Sequence, residues 1–191
     1  MRQSLRTHEH TDNHSVLLAS FEPMGAAAFL RAPLEQFSGI TADLSGILAP
    51  RHDLDQLHER LARAPNHHRR VQLLEEFLLR RLRITKPDVL IAAAVKWIGT
   101  EPGAGRMDRL ARYIGLSQSA LERRFRRTIG LSPKKFASIV RLRHATRLMS
   151  TDTNLASIAN AAGYFDQAHF INDFRRTTGT SPTVFLRSHH L

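Results

Sequence analysis

Cysteine is absent from the 191 residues of this chain. That absence excludes disulfides, thiolate metal sites, redox pairs and thiol nucleophiles in one step. Long hydrophobic runs are also missing, because the longest, over 89–95, has 7 residues and a membrane span needs about 20. The first 14 residues contain no apolar stretch of the kind found in a signal peptide. We therefore expect a cytoplasmic protein that does not contact a membrane.

Acidic residues are too few to balance the basic ones. The chain has 17 Asp and Glu against 28 Lys and Arg, which gives a formal net charge of +11. The excess is concentrated, since residues 1–100 carry +2 and residues 101–191 carry +9. Such a charge favours a polyanionic partner, either nucleic acid or an acidic membrane surface, over a merely basic soluble protein. The C-terminal half is the expected binding region.

The N-terminal half has the hydrophobic patterns of several short helices. We predict a disordered tail over 1–14, one short strand over 15–21, and a short helix and a further turn over 24–37 with a break near Pro33. An amphipathic helix is predicted over 53–64, followed by a helix that Asn66 caps and that runs to about Arg83. A further helix is predicted from Pro87 through Ile98, followed by a loop that contains glycines 99, 103 and 105.

The C-terminal half contains an internal repeat. Residues 125–136 recur as residues 174–185 with eight of 12 positions identical, which is a strong signal of duplication. Each copy has the pattern of a helix, a glycine turn and a second helix, with Ser117 and Asp166 as the expected caps of the second helices. The spacing predicts two helix-turn-helix units, over 106–129 and 154–178.

A long helix is expected to connect the two units. Ser132 and Pro133 have the pattern of a helix cap followed by proline in the first turn. A helix over 133–149 would be about 25 Å long at 1.5 Å per residue. It would hold the two units apart on one face of DNA, where successive major grooves are separated by about 34 Å.

Residues 87–187 resemble the DNA-binding domain of the AraC/XylS family of bacterial transcription regulators. The residues that carry the resemblance include Leu110-Ala111, Gly115-Leu-Ser117, Leu121-Glu-Arg-Arg-Phe125, Gly130-Leu-Ser-Pro133, Arg141-Leu-Arg143, Ile158-Ala159, Gly163-Tyr164, 166–170, Phe174-Arg-Arg176 and Gly179-Thr-Ser-Pro182. The resemblance implies an all-α, homeodomain-like double helix-turn-helix of about seven helices, whose recognition helices enter adjacent major grooves of promoter DNA. Promoter DNA in the nucleoid is the expected partner, with RNA polymerase as a further one.

The two second helices contain the candidate DNA-contacting residues. The resemblance implies base contacts by Ser119, Glu122 and Arg123 and, at the corresponding positions of the second unit, by Gln167, Ala168 and Asn172. Arginine pairs with guanine, and Gln and Asn suit adenine, whereas Glu122 either accepts from cytosine or orients Arg123. Because the family often has arginine at the position of Asn172, the second unit is expected to bind more weakly. Phosphate contacts are expected from Arg126, Arg127, Arg175 and Arg176.

Catalytic and metal sites are not expected. The histidines lack a metal-ligand spacing such as HExxH, and neither GxGxxG nor a P-loop motif is present. Some AraC-like proteins repair DNA through a methyl-accepting cysteine, an activity that the absence of cysteine excludes here. We therefore predict a protein that is not an enzyme and has no metal or cofactor.

Residues 15–84 resemble only the end of the family's N-terminal region, which usually holds an effector-sensing β-barrel followed by helices that dimerise. We interpret this segment as a truncated, mostly helical regulatory or dimerisation remnant, in which a small-molecule pocket is not expected. The apolar residues over 71–82 either form a homodimer interface or pack onto neighbouring helices. An alternative function is therefore an interaction or decoy module that dimerises with full-length regulators.

Overall fold

The computed structural model describes residues 17–83, 86–100 and 106–189, with side chains up to Arg187. Two 3-10 helices, Gly25–Ala28 and Leu34–Phe37, precede the first α-helix. The α-helices within the described residues are α1 (Arg51–Arg63), α2 (His67–Leu79), α3 (Val89–Thr100), α4 (Met107–Tyr113), α5 (Gln118–Ile129), α6 (Pro133–Leu148), α7 (Leu155–Ala161), α8 (Gln167–Thr178) and α9 (Pro182–His189). None of these helices is both long and apolar enough to cross a membrane. The predicted all-α fold class is confirmed, and seven of the helices lie between residues 89 and 189.

The strand predicted over 15–21 is wrong in its described part. Residues 17–21 adopt no regular secondary structure and are exposed. The described residues offer no other strand to pair with, and a lone strand is not stable in water. The apolar run was therefore a misleading strand signal.

The N-terminal helices differ from the prediction mainly at their ends. The Asn66 side chain accepts a hydrogen bond from the Arg69 N–H at 2.9 Å and so caps α2 as predicted. Helix α2 ends at Leu79 rather than near Arg83, because the chain turns and the Arg83 N–H donates to the Ala28 carbonyl at 2.9 Å. Gly99 lies inside α3 and not in the predicted loop, whose other glycines fall outside the described residues.

The two helix-turn-helix units have matching local geometry. The Ser117 side chain accepts from the Ala120 N–H at 3.2 Å at the start of α5, and Asp166 accepts from the His169 N–H at 2.6 Å at the start of α8. Both α5 and α8 end at a glycine in the left-handed conformation, Gly130 at φ 83° and Gly179 at φ 79°. The duplicated sequence thus specifies the same helix ends twice.

The connecting helix α6 belongs to two hydrophobic cores. It begins at Pro133 with the Ser132 side chain as its cap, as predicted, and its Phe136 packs in the core of the first unit. Further along, Leu142 and Ala145 pack in the core of the second unit. Both cores contain fully buried phenylalanines from the second helix of each unit, and these are Phe125, Phe170 and Phe174. One continuous helix therefore couples the two units mechanically.

The N-terminal segment, residues 24–37, packs against the first helix-turn-helix unit. The 3-10 helix Leu34–Phe37 contacts α5, and Met24 packs against the first core. The approach is close at Gly130, where an added Cβ atom would lie 2.9 Å from the Leu34 carbonyl oxygen. Helices α1 and α2 form a separate small cluster around Leu57 and Phe77.

Candidate nucleic-acid interface

Helix α5 buries Leu121 and Phe125 and exposes the opposite face to solvent. Ser119 and Arg123 are exposed on that face, and Arg123 forms no ion pair with any described carboxylate. Glu122 is half-buried and pairs with Arg126 one turn later, at 2.7 Å. The glutamate therefore orients Arg126 in this structure. Of the two roles suggested by the sequence, contact with cytosine or orientation of Arg123, the second is not seen here.

Helix α8 exposes the equivalent face in the second unit. Gln167, Ala168 and Asn172 are all exposed, opposite the buried Phe170 and Phe174. This face has no charged group among its three predicted base-contacting residues. The three predicted base-contacting residues of the first unit thus include one cation and one anion, whereas those of the second unit are uncharged.

The four arginines predicted to contact phosphate have different surroundings. Arg175 is exposed and has no ion pair among the described residues, whereas Arg126 is bound to Glu122. Arg176 pairs with Asp173, one turn earlier on α8. Arg127 lies on the flank of α5 and lines a cavity beside the N-terminal segment. Two of the four therefore share their charge with a carboxylate.

A buried carboxylate in α8 joins the second unit to the connecting helix. The Asp173 side chain is 1% exposed and accepts hydrogen bonds from the Tyr164 hydroxyl at 3.2 Å and the Ser138 hydroxyl at 3.1 Å. Arg141 lies 3.7 Å from the same carboxylate, with its guanidinium carbon 4.3 Å from the centre of the Tyr164 ring. Burial and, secondarily, the Asp173 charge raise the pKa of Tyr164 well above its ordinary value.

Asp173 was not among the site residues predicted from the sequence. Its helical spacing offered a signal, because residues 170, 173, 174 and 177 follow the period of one helix face and all are buried. A polar residue on an apolar face predicts a buried partner, but Ser138 is 35 residues away in sequence.

A second ion pair outside the predicted set orients α5. Arg124 donates to both oxygens of Asp88 at 2.7 and 3.0 Å, and Asp88 also accepts from the Ile91 N–H at the start of α3. This bidentate geometry fixes α5 against α3. No sequence signal links these residues, which are 36 positions apart.

No cluster of three or more metal-ligating side chains occurs within the described ranges. Several of the histidines considered in the sequence, at positions 8, 10, 14 and 190, fall outside those ranges.

The comparisons with known proteins agree with this architecture. A model of a helix-turn-helix domain matches residues 110–188. The raffinose operon transcriptional regulatory protein RafR of Pediococcus pentosaceus is 38% identical over 80 residues, which are 41% of this chain and 29% of RafR. The arabinose operon regulatory protein of Salmonella typhimurium is 29% identical over 124 residues, which cover 60% of this chain and 44% of that protein. The chain thus spans less than half the length of these relatives.

The structural comparison extends over the same region. The DNA-binding domain of AdpA, a global transcriptional factor solved in complex with a target DNA, superposes with a TM-score of 0.50 and 24% identity. The superposition covers 52% of this chain and 92% of that domain. These similarities show that residues 110–188 form a helix-turn-helix domain like those of the operon regulatory proteins above, in agreement with the predicted resemblance to the AraC/XylS family.

Proposed function

We propose that the protein binds promoter DNA in a sequence-specific manner and regulates transcription, with α5 and α8 in adjacent major grooves. The observation that carries this proposal is the pair of equivalent helices, each capped in the same way, whose polar faces point away from their cores. The net charge of +9 over residues 101–191 supplies attraction for phosphate. The DNA complex of the similar AdpA domain supports the same partner.

The roles of individual residues follow from their exposure and their partners. Arg123, which is exposed and unpaired within the described chain, is suited to donate to both acceptors of a guanine. Ser119 lies beside it, while Gln167 and Asn172 are suited to adenine and Ala168 to a thymine methyl group. Glu122 has a free oxygen with which it accepts from a cytosine amino group while it continues to hold Arg126.

Phosphate contacts are assigned to Arg126, Arg127, Arg175 and Arg176. Contacts of this kind position a protein on the duplex without specifying its sequence. The Glu122 and Asp173 pairs restrict the conformations of Arg126 and Arg176, which reduces the entropy that each side chain loses on binding.

The test begins with the selection of genomic DNA fragments that bind the purified protein. Arg123→Ala is then compared with the wild type on a selected fragment and on a scrambled one by fluorescence anisotropy. We expect a loss of about 1–3 kcal/mol on the selected fragment and a smaller loss on the scrambled one. Arg63→Ala, on the distant helix α1, is the matched control. Equal losses on both fragments contradict the base-reading role.

A second candidate function is an interaction module that dimerises with itself or with full-length regulators. Exposed apolar side chains on α2 and just after it favour it, namely Val71, Leu79 and Leu82, of which Leu79 is 68% exposed. Mass measurement by size exclusion, combined with a gel shift, separates the two functions. A dimer that shifts no DNA fragment supports the interaction module, whereas a shifted complex supports the regulator. For the regulator, RNA polymerase in the cytoplasm is the proposed further partner.

A further inference from the structure

One large apolar side chain of the second unit lies outside its core. Phe165 is 92% exposed, although it follows Tyr164, which is 5% exposed, and precedes Asp166, which caps α8. Its ring contacts no other aromatic ring and no guanidinium among the described residues. Single exposed apolar side chains are common on protein surfaces, so the place of Phe165 in the unit decides whether it has a role.

The first unit has no counterpart of Phe165. Both turns begin at a glycine in the left-handed conformation. In the first turn Leu116 packs against the core, and the cap Ser117 follows it directly. In the second turn Tyr164 takes the core position, and Phe165 is inserted before the cap. Because the first unit closes its turn without this residue, the fold does not require a phenylalanine there.

The backbone on both sides of Phe165 is held in place. The Tyr164 N–H donates to the Ala159 carbonyl at 2.9 Å, and the Tyr164 hydroxyl donates to the buried Asp173 at 3.2 Å. On the other side, the Asp166 side chain caps α8. The phenyl ring is thus presented from a fixed turn, which reduces the entropy that the segment loses when the ring makes a contact.

Phe165 adjoins the end of α8 that is expected to meet the bases. In a helix-turn-helix unit, the N-terminal residues of the second helix contact the base edges in the major groove. Gln167 and Ala168 are the first two residues of α8, and both are exposed, as Phe165 is. The apolar group that a base offers in this groove is the C5-methyl group of thymine. A phenyl ring at this place therefore matches a thymine methyl group and not a phosphate.

We propose that Phe165 is a specificity-determining residue whose ring contacts the methyl group of a thymine in the DNA bound by α8. This inference rests on the proposed function, because it requires α8 to lie in a major groove. The second unit then has an apolar contact of its own, whereas α5 has the charged donor Arg123. The contact favours thymine over cytosine, which lacks the methyl group.

The experiment combines Phe165→Ala with the loss of single methyl groups from the DNA. Each thymine of a selected fragment is replaced in turn by uracil, which removes only the methyl group, and affinity is measured by fluorescence anisotropy. We expect one replacement to weaken wild-type binding about fourfold, which is the effect of one buried methyl group. The same replacement should have no effect on Phe165→Ala, which should bind the thymine fragment about tenfold more weakly than the wild type.

The matched control is Leu18→Ala, because Leu18 is 84% exposed and lies outside both helix-turn-helix units. This variant should keep both the wild-type affinity and its dependence on the methyl group. Phe165→Ala should unfold at the wild-type temperature, since the exposed ring makes no packing contact, so that a loss of affinity is not a loss of structure. Equal dependence on the methyl group in the wild type and Phe165→Ala overturns the proposal and assigns the contact to another residue.

Failure of this inference and failure of the proposed function give different results. A wild-type protein that selects no DNA fragment overturns both. If the wild type binds a selected fragment and loses affinity with Arg123→Ala, but Phe165→Ala binds as the wild type does, only the inference about Phe165 is overturned. A Phe165→Ala variant that changes the mass of the protein in size exclusion without changing its DNA affinity assigns the ring to a contact between copies of the chain, and this result also overturns the inference.

Discussion

Gly130 and Gly179 occupy equivalent places in the two copies of the repeat, yet only Gly130 is in contact with another segment. Both have φ near +80°, so alanine at either position costs about 1–2 kcal/mol of backbone strain. At Gly179 an added Cβ meets nothing within 4 Å, whereas at Gly130 it lies 2.9 Å from the Leu34 carbonyl oxygen. We expect Gly130→Ala to lower the free energy of unfolding by roughly 1–3 kcal/mol more than Gly179→Ala.

Urea denaturation of the two variants measures this difference directly. Because the backbone strain is common to both substitutions, the excess at Gly130 reports the packing of the N-terminal segment on α5. Equal destabilisation would contradict that packing.

Asp173 is a buried carboxylate of the second unit that pairs with Arg141 and Arg176. Its removal leaves the half-buried Arg141 without its carboxylate, and Arg141 already has an Nε atom without a hydrogen-bond partner. We expect Asp173→Ala to lower the free energy of unfolding by about 3–5 kcal/mol. Asp108→Ala, which removes an exposed ion-pair network on α4, should cost about 1 kcal/mol or less.

A double variant separates the buried charge from other effects of the Asp173 substitution. Replacing Arg141 by methionine in the Asp173→Ala background should restore part of the lost stability, because no unpaired charge then remains buried. Thermal denaturation of the four proteins gives the coupling energy. A coupling energy of zero would show that the two side chains do not stabilise each other.

The helices with strong local signals were predicted well from sequence, and the contacts between helices were not. Ser132 and Asn66 cap their helices as predicted, because a cap depends on residues that are three positions apart. The Asp88–Arg124 pair has no such local signature, since it depends on how α3 and α5 pack. The predicted strand over 15–21 failed for a related reason, because strand formation requires a distant partner.

In the candidate site, too, features that depend on neighbouring residues in the sequence were predicted, and features that depend on distant residues were not. The positions of Ser119 and Arg123 on an exposed face follow from helical period and were predicted. The hydrogen bond from Ser138 to Asp173 and the cavity beside Arg127 depend on residues from other elements. These features could therefore not be predicted from the sequence.

The two recognition helices are expected to contribute unequally to DNA affinity. Helix α5 offers a charged donor in Arg123, and hydrogen bonds to charged groups are stronger than those between neutral groups. We expect Ser119→Ala with Arg123→Ala to weaken binding to a selected fragment about tenfold more than Gln167→Ala with Asn172→Ala. Fluorescence anisotropy measures both losses under one salt condition, and equal losses would show that the neutral face of α8 reads DNA as effectively as α5.

At the scale of the whole molecule, charge and packing are divided along the chain. The nearly neutral N-terminal half forms the α1–α2 cluster and packs a short segment against α5, while the C-terminal half carries most of the positive charge on two units joined by α6. The stability of the first unit therefore depends on N-terminal residues that do not belong to the repeat. Its DNA affinity, by contrast, should depend on charges that lie at specific places in the repeat.

Salt dependence distinguishes phosphate contacts at those places from a general effect of net charge. Each phosphate contact contributes about −0.9 to the slope of log K against log salt concentration. We expect Arg126→Gln with Arg175→Gln to make that slope shallower by about 2 on both selected and scrambled DNA. A control with the same change in charge, Arg63→Gln with Arg80→Gln in the α1–α2 region, should leave the slope nearly unchanged, because long-range effects are screened beyond roughly 8 Å at physiological salt. If both double variants changed the slope equally, total charge rather than contacts by Arg126 and Arg175 would account for DNA binding.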